Sequence, residues 1–247
     1  MMLRFALPAL LALASPVAAL DLTAMTDAER AAFRAEVRAY LLDNPEVLQE
    51  ANAALQAREQ QVQFETDMAL VQTYSDALFN DGHSYVGGNP DGDITIVEFM
   101  DYRCGYCKRA FPEVEALLGA DDNIRFIVKE FPILGEQSVL AARFAIATQL
   151  VAGDDAYKAV HDNLMEFRGD ITAASMTRLA EILGLDADAI IARMDSDEVT
   201  QVIAANRNLG TDMQISGTPT FVIGDVMVRG YIPIDAMEGL VAEMRSE

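Results

Sequence analysis

Apolar residues recur along this chain in three different rhythms. Near the start, Phe33, Val37, Tyr40 and Leu41 return at helical spacing. Thr26 and Glu29 stand just ahead at the separation of a capping box. Asn44-Pro45 ends that helix and can open a second, predicted to run to about Phe79. The second helix carries a thin apolar stripe of Val47, Leu48, Ala51, Leu55 and Val62, and residues 56–63 are mostly polar. Such a stripe suits a stalk, a linker or one strand of an oligomer, and equally a helix laid along its own domain.

The second rhythm is β-branched. Asp81-Gly82 and Gly87-Gly88-Asn89-Pro90-Asp91-Gly92 form the densest turn signal, and a domain boundary is placed there. The run Asp93 to Phe99 then has the character of a buried strand. A helix follows, and a second strand is predicted over residues 123–131, giving a strand–helix–strand unit. The third rhythm is helical almost throughout, from Gly135 to about Asn208. Its predicted pieces are 137–150, 154–167, 172–183, 186–194 and 196–209. Strand character returns over 219–223 and 226–229, with Gly224-Asp225 as the hairpin turn, and residues 234–245 close as a helix.

The first nineteen residues change this picture in one respect. Arg4, an apolar run from Phe5 to Val17 broken by Pro8, Ser15 and Pro16, and then Val17-Ala18-Ala19 read as a cleavable signal peptide. The run is shorter than the ~20 apolar residues a membrane span needs. Export, here to the periplasm, places the chain where disulfides persist. A formal net charge of −21 argues against binding nucleic acid or an anionic membrane surface. With 51% apolar and 23% charged residues, a sizeable core is expected.

Only two cysteines are present, Cys104 and Cys107. Within one chain they can build neither a disulfide framework nor a four-cysteine zinc site. They lie where the predicted strand passes into a helix. The first helical turn leaves N–H groups unpaired, and its dipole favours negative charge, so a thiolate at Cys104 would be stabilised. Arg103, Lys108 and Arg109 add positive charge nearby. Cys107 shares a helix face with Cys104 and could close a disulfide with it. Gly105 permits a tight turn and a close substrate approach, and Pro112 is expected to kink the helix. Two structural cysteines, half of a zinc or copper(I) site shared between chains, and a purely structural disulfide remain open as alternatives.

The segment Val97-Glu98-Phe99-Met100-Asp101-Tyr102-Arg103-Cys104-Gly105-Tyr106-Cys107 resembles the active site of DsbA-like members of the thioredoxin superfamily. Gly217-Thr218-Pro219-Thr220-Phe221 resembles their cis-proline loop. The leading helices, with Tyr40-Leu41-Leu42-Asp43-Asn44-Pro45-Glu46-Val47-Leu48, resemble those of the suppressor-of-copper-sensitivity protein C group. The resemblance implies an α/β, thioredoxin-like fold over 85–134 and 209–247. It implies an inserted all-helical domain over 135–208 and an N-terminal helical extension over 20–84. It implies Cys104 as nucleophile, Cys107 as resolving thiol, and Pro219 in a cis bond beside them. Thr218 would present backbone groups to a substrate strand. Glu98 would be a buried acid handling protons for the pair, with Lys129 as its partner. His83 and His161 are expected on the surface.

No cofactor or resident metal is implied. The implied activity is making, breaking or reshuffling disulfides in exported proteins, isomerase- or reductase-like, because Gly-Tyr replaces the Pro-His of strongly oxidising relatives. Implied partners are cysteine-bearing clients, a membrane or periplasmic redox partner, and further copies of the chain joined through the N-terminal helices. Copper(I) handling by the same thiols is the alternative.

Overall fold

The two β-branched runs become neighbouring parallel strands. In the computed structural model, which describes residues 22–246, β2 (Ile94–Met100) and β3 (Ile124–Glu130) pair with Glu98 opposite Val128 and Met100 opposite Glu130. Helix α4 (Gly105–Ala120) crosses between them and continues on both sides of Pro112. The expected signal peptide lies outside the described residues. Three further strands, β1 (Tyr85–Gly88), β4 (Thr220–Ile223) and β5 (Val226–Arg229), complete a sheet of order β1-β3-β2-β4-β5. Within it, β1 runs antiparallel to β3, β4 antiparallel to β2, and β5 antiparallel to β4.

Between β3 and β4 the chain makes α5 (Glu136–Ala152), α6 (Asp154–Glu166), α7 (Ala173–Ile182), α8 (Ala187–Arg193) and α9 (Asp197–Asp212). Helix α10 (Ile234–Met244) follows the last hairpin. The fold is thus the expected α/β, thioredoxin-like one with a helical insertion. The inserted helices do not stand apart. Phe144 of α5, Leu164 of α6 and Met176 of α7 join Ile96, Phe126 and Val114 in one buried cluster.

Strand alternation sorts the buried side chains. Ile94, Ile96 and Met100 of β2, with Ile124, Phe126 and Val128 of β3, face α4, α10 and the insertion. Val97, Phe99 and Ile127 face the other way, against Val71, Leu78, Leu209 and Met213. On that side α9 approaches so closely that a Cβ at Gly210 would lie 2.4 Å from the Phe131 ring. A side chain at that one helical position would force either the Phe131 ring or α9 to shift.

The N-terminal region divides differently from expectation. Helix α1 (Asp27–Asp43) opens with the predicted Thr26–Glu29 capping box and has no buried residue. Helix α2 (Glu46–Thr73) stops short of Phe79, and α3 (Ser75–Phe79) is a separate short helix. Two compact units result, one ending at Glu59 and one starting at Gln60, in place of a boundary at 84/85. The reason is burial: Val71 and Leu78 are core residues of the second unit. Strand β1 also occupies part of the predicted turn. Its four residues contain Gly87-Gly88 and owe their strand geometry to pairing with Arg125–Val128.

Candidate active site

Strand β2 delivers the chain to a tight turn at Asp101–Arg103. The buried Asp101 carboxylate fixes that turn by accepting hydrogen bonds from the Arg103, Ile133 and Leu134 amides at 2.7, 2.8 and 3.0 Å. Cys104 is the cap residue of α4, and its sulfur accepts from the Cys107 amide at 3.4 Å. It sits where a serine or aspartate often caps, so a negative charge on the sulfur satisfies an orphan N–H. Its thiol is held down at about 5. The Cys107 side chain contributes most, burial opposes, and the Thr218 side chain and the Cys107 and Tyr106 amides assist.

Cys107 is fully buried, and burial above all pushes its thiol far above the ordinary range. The two cysteines therefore differ in kind: one is an anion at neutral pH and the other keeps its proton. Both are free thiols. The Thr218–Pro219 peptide bond is cis, and the Thr218 carbonyl oxygen lies 3.1 Å from the Cys104 sulfur. The structure thus brings Cys104, Cys107, Thr218 and Pro219 to one place, from sequence positions more than a hundred apart.

Glu98 is 2% exposed, on the cysteine side of the sheet. Its Oε1 has no hydrogen-bond partner. Burial, and then the charge of Cys104, push its carboxyl up to about 8. The expected partner does not reach it. Lys129 alternates to the opposite face of β3, and its Nζ pairs with the Asp81 carboxylate and donates to the Ala77 carbonyl at 2.8 Å. Asp81 also lies 3.0 Å from His83 Nε2. Burial works against the Asp81 charge, but hydrogen bonds from His83 and Lys129 hold its carboxyl far below the usual range. His83 is accordingly half-buried in a pair and is no ordinary surface residue.

His161 is a plain correction. It is 3% exposed, and burial pushes its ring down to about 3, so it is neutral. Its Nδ1 lies 3.1 Å from the Tyr102 hydroxyl. Tyr102 and Tyr157 both donate to Glu130 Oε1 at 2.7 Å. This buried cluster ties the residue two before Cys104 to helix α6. The sequence carried a signal for it: Tyr157, His161 and Leu164 lie on one helical stripe.

A capped, ionised cysteine, a buried cysteine one turn on, and a cis-proline beside them define a thioredoxin-fold protein of the Cys-x-x-Cys type. A family model described as a DSBA-like thioredoxin domain matches residues 95–242. The chain belongs to that family. A second model, the copper resistance protein ScsC N-terminal domain, matches residues 29–61. Among solved structures, a thioredoxin-like oxidoreductase from Silicibacter pomeroyi is 40% identical, with a TM-score of 0.66 over 70% of this chain and 98% of that one. Proteus mirabilis ScsC in a transitional conformation is 29% identical, with a TM-score of 0.66 over 92% and 99%. Among curated proteins, Na(+)/H(+) antiporter NhaA 1 of Salinispora arenicola is 31% identical over 159 residues, 64% of this chain and 24% of the antiporter. The chain spans about a quarter of the length of such antiporters. No helix among the described residues is long and apolar enough to cross a membrane.

Proposed function

We propose that this protein is an exported, periplasmic enzyme that exchanges thiols and disulfides on client proteins. Its bias is toward isomerisation or reduction. The observation that carries the reading is the Cys104 sulfur at the cap of α4, 3.1 Å from the carbonyl that precedes a cis-proline. In the first step Cys104 attacks one sulfur of a client disulfide. A Cys104–client bond forms, the client S–S bond breaks, and the electron pair leaves on the second client sulfur as thiolate. Resolution follows either when that client thiolate, or another, attacks the mixed disulfide, or when Cys107 does. The second route forms the Cys104–Cys107 disulfide and releases the client reduced.

Cys107 must lose its proton to act, and Glu98 is the buried base available on its side of the sheet. The Cys104 charge is one of the two influences that raise Glu98. Once Cys104 is tied up in a mixed disulfide that charge is gone, the Glu98 carboxyl falls and gives up its proton to water, and the carboxylate so formed takes the proton of Cys107. Two features support the isomerase bias. Gly-Tyr between the cysteines places no imidazolium beside the thiolate. The apolar stripe of the N-terminal unit is also uncovered: Phe33, Val37 and Leu48 are exposed and line a groove with Leu41. Further copies of the chain would cover that stripe and bring several active sites to one client.

The test is refolding of a scrambled multi-disulfide protein. Wild type is expected to restore its activity and Cys104→Ala to leave it scrambled. Equal recovery with both would end the proposal. The match to a copper-resistance N-terminal model favours a second reading, copper(I) held by the reduced thiol pair. Chelator-sensitive copper retention by reduced wild type, absent in Cys107→Ser, is its expected signature.

A further inference from the structure

The molecule is strongly acidic, yet the ground beside Cys104 is not. Arg103, Lys108, Arg109 and Arg168 gather around the start of α4 and the end of α6. The last three line a cleft of 660 Å³ together with Phe111, Met165 and a single acid, Glu166. Elsewhere in this unit several cations are neutralised locally, Lys129 by Asp81, Lys158 by Glu115 and Asp162, Arg229 by Asp67, Arg245 by Asp93 and Asp121, while Arg125 and Arg207 donate to carbonyls. Among the described residues none of the four cations beside Cys104 forms an ion pair. Their fold contacts are with carbonyls and rings instead. Arg103 Nη1 lies 3.4 Å from the Gly169 carbonyl, and Lys108 donates to Leu164 and Phe167. The Arg109 guanidinium lies 4.5 Å over the Tyr231 ring.

These charges also burden one another. Burial, and then the proximity of Arg103 and Arg168, lower the Lys108 ammonium below its ordinary range. No carboxylate is among the influences on Lys108, although Glu166 lines the same cleft and Glu113 accepts from the Tyr231 hydroxyl, and a bound client carboxylate would relieve that repulsion. Beside the cations, Tyr106 is 60% exposed between the two cysteines, its ring 6.4 Å from that of Tyr231. Positive charge, an exposed aromatic and the nucleophile thus share one surface. Guanidinium groups meet carboxylates with paired hydrogen bonds.

We propose that this basic face captures acidic residues flanking the disulfide of a client polypeptide and so selects clients that the chain's net charge of −21 would otherwise repel. The inference rests on the exchange chemistry proposed above and names the client class for that site.

The experiment uses the full chain carrying Cys107→Ser, so that reaction halts at the mixed disulfide. Two synthetic peptides share one sequence and one mercaptoethanol-capped cysteine. They differ only in having two Asp or two Lys beside it. The ratio of their rates cancels thiolate fraction and leaving group. The Asp peptide is expected to react about tenfold faster at low salt, with the gap closing as salt screens it. Arg109→Glu with Arg168→Glu is expected to invert the ratio, while Arg178→Glu, an exposed cation of α7, leaves it in place. A ratio near one, a preference for the Lys peptide, or an equal response to Arg178→Glu overturns the inference and leaves the exchange activity standing. No mixed disulfide with either peptide overturns both.

Discussion

Lys129 and Glu98 are buried on opposite faces of the central sheet, which treat them in opposite ways. On the face toward α3, Lys129 is fully enclosed but meets Asp81 and the Ala77 carbonyl, so its burial is compensated. On the face toward α4, Glu98 is as deeply enclosed but has an orphan oxygen and no cation. A buried charge without a partner is costly, and the group responds by holding its proton. The difference separates structure from chemistry. The paired side keeps the sheet together. The unpaired side keeps a titratable acid beneath two thiols.

The largest expected effect breaks the paired side. Asp81→Ala strands the Lys129 ammonium and should cost about 3–5 kcal/mol in urea unfolding. Replacing both, Asp81→Leu with Lys129→Met, should recover most of that loss, since no charge is left buried. A loss below about 1 kcal/mol for Asp81→Ala would mean that water, not Asp81, serves Lys129.

Next in size is Glu98→Gln. Stopped-flow resolution of a Cys104 mixed disulfide by Cys107 should slow by roughly tenfold to a hundredfold. The alkylation profile of Cys104 should keep its midpoint near 5. A shifted midpoint with unchanged resolution would place Glu98 in the capture step instead.

A smaller effect lies in stability against pH. Glu98 is raised in the folded protein to about 8, so the folded state binds its proton more tightly than the unfolded chain does. Its contribution is present at low pH and lost as pH climbs from the ordinary carboxylate range through about 8. Cys104, lowered to about 5, and His161, lowered to about 3, slope the other way. The wild-type minus Glu98→Gln difference in urea midpoint isolates the carboxyl. It should turn against wild type between pH 5 and pH 8. The smallest effect is expected from removing everything before Gln60. Because α1 buries nothing, the unfolding free energy should change by less than about 0.5 kcal/mol. A larger drop at constant protein concentration would show that further copies stabilise the fold through this unit.

Much of the site was legible because its logic is local. A strand, two cysteines three apart and a helix start are legible in a window of eleven residues, and Thr218-Pro219 is legible through its resemblance to a known loop. The expected Glu98–Lys129 pair failed for a reason invisible in one dimension. It depends on the register that sets Phe99, not Glu98, beside Lys129. Strand β1 was hidden because two glycines read as a turn until a neighbouring strand supplies hydrogen bonds. His161 was misread because a lone histidine looks polar until the stripe it belongs to is counted.

By itself the sequence determined the cysteine pair, the strand that leads to it, the helix that begins at Cys104 and the α/β order of elements. Each follows from spacing and backbone preference over a few neighbouring residues. Only the tertiary structure decided which buried charge received a partner, how deeply Cys107 was enclosed, and where the cations beside Cys104 were left without an ion pair. Those outcomes depend on distance and dielectric between elements far apart in the chain, and neither quantity exists until the sheet is assembled.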